Sequence, residues 1–232
     1  LPWSVIADHF GFSVSSAGDV NGDGFDDLVV GAYSGGTEGS ASVYFGGPGT
    51  FNTTVDGALT GAANIDNFGR SVSRAGDVNG DGFDDVLVGA TGNDGAGTGA
   101  GAAYVYLGGP GTTFNAVADS VLTGAAAGDA LGGAVAGAGD VNGDGRADVV
   151  IGATGNDAGG SSAGAAYIYF GEADGTIANV ADGSLTGAAA DDRFGDSVAR
   201  LGVSSPTSGR SDHRPCRRRP RSGGCGRGAA ST

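Results

Sequence analysis

Asp19, Asn21, Asp23 and Asp27 place four oxygen-bearing side chains at positions 1, 3, 5 and 9 of the stretch DVNGDGFDD. The stretch returns at Asp77–Asp85, with Asp77, Asn79, Asp81 and Asp85, and as DVNGDGRAD at Asp140–Asp148, with Asp140, Asn142, Asp144 and Asp148. Carboxylate and amide oxygens so spaced are the donors a hard cation takes. Calcium binds six to eight oxygens at about 2.3–2.6 Å, commonly with a backbone carbonyl at position 7. Position 7 is Phe25, Phe83 and Arg146, side chains without common chemistry, which suits a site that uses only the carbonyl. Position 6 is glycine in each copy (Gly24, Gly82, Gly145), where a tight coordinating loop needs positive φ. A solvated Asn/Asp/Gly hairpin turn draws on the same residue types. Recurrence of the same four oxygen positions in three copies favours calcium, one ion per loop and three in all.

An EF-hand-type loop, such as that of dockerin modules, needs a bidentate carboxylate at position 12 and a helix to carry it. Position 12 here is Val30, Val88 and Ile151, within the runs DLVVGA, DVLVGA and DVVIGA. Short β-branched runs closed by glycine are strands. The loop therefore closes at position 9 and leads into a strand.

The elements that position these loops recur as well. Phe10-Gly11, Phe68-Gly69, Leu131-Gly132 and Phe194-Gly195 open units spaced 58, 63 and 63 residues apart. An aspartate stands two residues before each, and a leucine nine before. Each unit reads as four strands: Gly11–Val20, running into the first loop; Leu28–Ala32, apolar throughout and so buried on both faces; the alternating Ser40–Phe45; and the weaker Val55–Thr60. Later equivalents are Ala102–Leu107 and Ala165–Phe170 for the third strand, and Val117–Thr123 and Val180–Thr186 for the fourth. Four short strands in tandem repeat are the pattern of β-propeller blades, whose apolar faces are buried by neighbouring blades. A stack of small sandwiches is the other architecture open to such a pattern.

Phe-Gly at the unit start, D-x-N-x-D-G-x-x-D after the first strand and Gly-Ala closing the second (Gly31-Ala32, Gly89-Ala90, Gly152-Ala153) resemble FG-GAP repeats, as in the propeller of integrin alpha subunits and in many bacterial secreted proteins. The resemblance covers roughly residues 1–202. It implies an all-β partial propeller of three full four-stranded units plus fragments, with the loop oxygens as calcium ligands. Partners then dock on the face opposite the loops, at Tyr33–Gly39, Thr91–Gly101 and Thr154–Gly164. The third residue of the Gly-Ala-Pro motif is Tyr33, Thr91 or Thr154, never proline, and three full units stand where the family usually closes seven.

Composition narrows the function. Fifty glycines among 232 residues, without a Gly-X-Y period, indicate many tight turns rather than collagen. Residues 1–199 carry 25 acidic residues against 4 arginines, a net −21; residues 200–232 carry 8 arginines and one aspartate, a net +7. An acidic body argues against a nucleic-acid or anionic-membrane partner, and no apolar run reaches the roughly 18 residues of a membrane span. After Gly202, where a fourth loop is due, the sequence becomes rich in arginine, serine and proline, so residues 203–232 are expected to be disordered; a shifted reading frame and a genuine basic tail both produce this pattern. His9 and His213 belong to no repeated constellation, and no G-x-S-x-G elbow is present. The expectation is a non-catalytic, extracellular, calcium-binding module for adhesion or for a protein or glycan ligand, completed by further blades or by self-association. A propeller accessory to a secreted hydrolase of the phospholipase D kind, and a structural spacer in a surface protein, are the alternatives.

Overall fold

The computed structural model describes residues 9–33, 38–49, 51, 53–63 and 65–199. The expectation for residues 203–232 lies outside these. Among the described residues, twelve strands form three four-stranded antiparallel sheets, each a simple meander. The first comprises β1 (Ser13–Gly18), β2 (Asp27–Ala32), β3 (Ser40–Tyr44) and β4 (Gly57–Thr60). The second comprises β5 (Phe68–Gly76), β6 (Asp85–Ala90), β7 (Ala102–Tyr106) and β8 (Ser120–Thr123). The third comprises β9 (Leu131–Gly139), β10 (Asp148–Ala153), β11 (Ala165–Tyr169) and β12 (Gly183–Thr186). The first strands of the sheets, β1, β5 and β9, lie next to one another along the series. These are propeller blades, and each proposed cation loop is the β1–β2 turn of its blade or the equivalent turn.

The core lies between blades. Along β6, Val86, Val88 and Ala90 pack against the first blade while Leu87 packs against the third. Along β7, Ala102, Tyr104 and Tyr106 face one way, and Ala103 and Val105 the other. The period of two sends alternate residues to two separate seams, which is why β6 is buried at every position.

The two glycine motifs meet at these seams. A Cβ on Gly31, Gly89 or Gly152 would collide with the carbonyl oxygen of Gly69, Gly132 or Gly195, the glycine of the next unit's opening pair. Those three have φ of 82°, 87° and 86°, and a Cβ on them would strike the carbonyls of Ser40, Ala102 and Ala165. Ser13 and Ser71 donate hydroxyl hydrogen bonds across the seams to the Gly69 and Gly132 carbonyls at 2.9 and 2.8 Å. Adjacent blades thus touch backbone to backbone, an approach that any side chain at these positions prevents.

The fourth strands begin later than the sequence suggests, at Gly57, Ser120 and Gly183. Immediately before them, Asp56, Asp119 and Asp182 accept the backbone N–H of Phe45, Leu107 and Phe170 at 2.8 Å. A side-chain oxygen takes the place of a strand carbonyl there and delays the ladder. Asp66 and Asp129 also have structural work. Asn93 donates to Asp66 and to the Tyr104 hydroxyl, both at 3.2 Å, and Asn156 does the same with Asp129 and Tyr167 at 3.2 and 3.1 Å. Asn93→Ala is expected to cost about 1 kcal/mol in denaturant unfolding, the usual net loss for a partly buried hydrogen-bonded amide.

Candidate functional site

Each loop is wound around its first aspartate. Asp19 Oδ1 accepts the N–H of Gly22 and Asp23 at 2.8 and 3.0 Å, and Oδ2 that of Gly24 at 2.9 Å. Asn21 Oδ1 accepts the Asp23 N–H, and Asp23 Oδ1 accepts the Phe25 N–H, both at 2.9 Å. Asp77, Asn79 and Asp81 repeat this pattern onto Phe83, and Asp140, Asn142 and Asp144 repeat it onto Arg146. Gly24, Gly82 and Gly145 have φ of 88°, 94° and 93°, the left-handed conformation that a tight loop asks of position 6.

The position-9 aspartates differ from the rest in being buried. Asp27 accepts Val20 N–H at 2.8 Å and Gly46 N–H at 2.7 Å; Asp85 accepts Val78 and Gly108 at 2.7 and 2.9 Å; Asp148 accepts Val141 and Gly171 at 2.7 and 3.0 Å. Each therefore ties the loop start to the end of its blade's third strand. Burial pushes the Asp85 carboxyl up to about 7, with the charges of Asp81 and Asp77 adding to the rise, and burial raises Asp27 and Asp148 in the same direction. In the first two loops, a buried carboxylate thus faces two further carboxylates.

Cationic side chains do little to relieve this. Among the described residues the ion pairs are Arg74–Asp84 at 2.6 Å and Arg146–Asp144 at 2.7 Å. The first lies beside a loop at position 8, where Asp84 also accepts the Asp19 N–H of the preceding blade at 2.9 Å. The second lies within the third loop. There the Arg146 N–H, helped by the Asn142 amide and the guanidinium, holds the Asp144 carboxyl below its usual range. The Arg146 Nε also donates to the Gly171 carbonyl at 2.9 Å. The sequence suggested that position 7 offers only its carbonyl; in the third loop its side chain reaches a proposed ligand.

Among the described residues no group of three or more His, Cys, Asp or Glu side chains is gathered to hold a metal ion. The reason is visible in the bonds above: the carboxylates are turned onto backbone N–H groups instead of converging on one point. The donor set itself suits a hard cation, since Asp19, Asn21, Asp23 and Asp27, and their counterparts in the second loop, all carry a side-chain oxygen and, among the described residues, have no basic partner. The Asn93-Asp94 and Asn156-Asp157 pairs at the opposite ends of the blades are committed to turns. Asn93 and Asp94 accept the N–H of Gly95 and Gly99, and Asn156 and Asp157 those of Ala158 and Ser162.

Sequence reasoning assigned no role to Asp84 or to the Asp56, Asp119 and Asp182 series. The series had a legible signal, an aspartate at a fixed three residues before the unit's leucine. Asp84 had none, because its counterpart in the third unit is Ala147.

The FG-GAP repeat family model matches residues 10–45, 68–106 and 131–169, the three spans that run from each opening pair to the end of the third strand. The chain is an FG-GAP repeat protein. Its FG-GAP units are similar to integrin alpha chains: 33% identical over 165 residues to integrin alpha-5 of Xenopus laevis, covering 66% of this chain and 15% of that one. Integrin alpha-2 of Mus musculus is 35% identical over 36% of this chain and 8% of its own length, and integrin alpha pat-2 of Caenorhabditis elegans 38% over 35% and 7%. The FG-GAP chain thus spans 15% or less of the length of these relatives. No helix among the described residues is long and apolar enough to cross a membrane.

Proposed function

We propose that this FG-GAP chain is a non-catalytic, extracellular propeller module, stabilised by calcium in its three loops, that serves adhesion or the binding of a protein or glycan. The observation that carries this reading is the thrice-repeated set of oxygen donors around a buried aspartate, which in the first two loops have no basic partner among the described residues. Likeness to integrin alpha chains supports the adhesive role and the extracellular setting. The residues that would hold the ions are Asp19, Asn21, Asp23, Asp27 and the Phe25 carbonyl, with Asp77, Asn79, Asp81, Asp85 and Phe83, and Asp140, Asn142, Asp144, Asp148 and Arg146, in the other loops. A bound cation supplies counter-charge to the loop; the chain's residues shape the turn and anchor it to the third strand. For the ligand, the reading favours the blade ends opposite the loops. There the His9 and Tyr33 rings stack at 4.7 Å, and the Arg70 guanidinium lies over Phe12 and Tyr33 at 5.2 and 5.5 Å.

Calcium at about 100 times Kd adds roughly 2.7 kcal/mol per independent site, or roughly 5–11 °C in Tm for a chain of this length. Titration calorimetry is expected to show two similar sites and a weaker third, because Arg146 already occupies Asp144. A melting curve unmoved by both chelator and added calcium overturns the reading.

A further inference from the structure

We infer that the cavity between the second and third blades binds a small aromatic molecule of the phenol class, whose ring takes the place that a phenylalanine fills at the preceding seam. The two seams are related by the repeat, sixty-three residues apart. Between the first and second blades, Phe68 is fully buried and meets the rings of Tyr104 and Tyr106 edge-on, at centroid distances of 5.2 and 6.4 Å. Between the second and third, the same three positions are Leu131, Tyr167 and Tyr169. The tyrosines recur; their aromatic partner does not. Leu131, Tyr167 and Tyr169 instead line an open cavity of about 280 Å³, with the exposed Val180 on its rim. About 150 Å³ is enough for an apolar cavity to take up benzene.

Collapse cannot close this space. The Leu131 N–H is held by the Ala100 carbonyl at 3.0 Å, and Gly132 is already in backbone contact with Gly89 and Ala102 of the second blade. Tyr167 is kept from swinging inward because its hydroxyl accepts the Asn156 amide at 3.1 Å, the bond that Asn93 gives Tyr104 at the first seam. Tyr167 is consequently half-buried where Tyr104 is buried. Walls that lack partner atoms forgo dispersion contacts, which a ligand ring restores.

The rim selects for an oxygen on that ring. Asn179 Nδ2 donates to the Thr123 hydroxyl at 2.7 Å, and Asn179 Oδ1 accepts the Thr123 N–H at 2.8 Å. The first seam has no such bridge, since Ala116 stands in the place of Asn179. The second Nδ2 hydrogen and the Thr123 hydroxyl hydrogen meet no acceptor among the described residues. A phenolic oxygen at the rim accepts from them while the ring packs edge-to-face against the tyrosines. The site shares no residue with the cation loops, so its occupancy is independent of calcium.

The test is the binding of para-fluorophenol to the full-length protein, followed by fluorine NMR. Saturable binding of a single equivalent is expected, with displacement by phenol. Leu131→Phe supplies the missing ring and should abolish binding without lowering Tm. Asn179→Ala, on the exposed rim, should weaken binding about fivefold, the worth of one hydrogen bond. Its result stands on its own should Leu131→Phe fail to fold. Cyclohexanol keeps the hydroxyl without the aromatic ring and should displace the probe about fivefold less well than phenol, the difference that edge-to-face contact makes. Absence of saturable binding by the parent protein, or parental affinity in either variant, overturns the inference; cyclohexanol as effective as phenol overturns the aromatic class of the ligand.

Discussion

Replacing Gly89 with alanine is expected to lower stability by about 3 kcal/mol, at the upper end of what overpacking in a dense interior costs, and Tm by roughly 6–12 °C. The added methyl meets the Gly132 carbonyl and the Ser71 hydroxyl that bonds it. Gly132 is in no position to retreat, because the Ala102 carbonyl stands on its other side. Relief requires the second and third blades to separate, which opens the core that holds Leu87, Leu122, Leu131 and Ile151. Gly109→Ala is the control. A Cβ there meets nothing within 4 Å, and the change is expected to fall within about 0.5 kcal/mol of neutral. Denaturant unfolding of both variants checks this; equal stability of the two would refute backbone contact as the reason for the Gly-Ala and Phe-Gly pairs.

That contrast also shows what the sequence could and could not reveal. The spacing of the Phe-Gly pairs, with β-branched runs between tight turns, was enough to place all twelve strands, because strand periodicity and turn chemistry are local. Why Gly89 and Gly132 are glycines was not legible, since their collision joins residues in different blades. The donor spacing of Asp77, Asn79, Asp81 and Asp85 was legible, but the direction of their lone pairs was not. Asp85 could as well have faced solvent; only the fold shows it buried and accepting two N–H groups, from the loop start and from just past the third strand. The contact of Arg146 with Asp144 was hidden for the opposite reason. It is local, but a side chain at position 7 is free to point either way.

Asp85→Ala and Asp81→Ala are expected to separate the two tasks of a loop carboxylate. Asp85 is fully buried and is the acceptor for the Val78 and Gly108 N–H groups. Its loss strands one buried and one part-buried donor, at about 1–3 kcal/mol each, offset in part by removing a carboxylate that burial disfavours. Asp85→Ala should therefore lower stability in chelator by about 2 kcal/mol and remove one bound calcium as well. Asp81 is exposed, and its backbone partner is the exposed-loop N–H of Phe83 at 2.9 Å. Asp81→Ala should leave stability in chelator within about 0.5 kcal/mol of the parent while still reducing calcium stoichiometry by one. The first and third loops should stay occupied in both variants, since every proposed donor of a loop lies within its own nine residues. Chemical denaturation in chelator and calorimetric titration with calcium read the two effects independently. If Asp81→Ala leaves stoichiometry unchanged, Asp81 holds no ion; if Asp85→Ala leaves chelated stability unchanged, the buried aspartate is not the anchor of its loop.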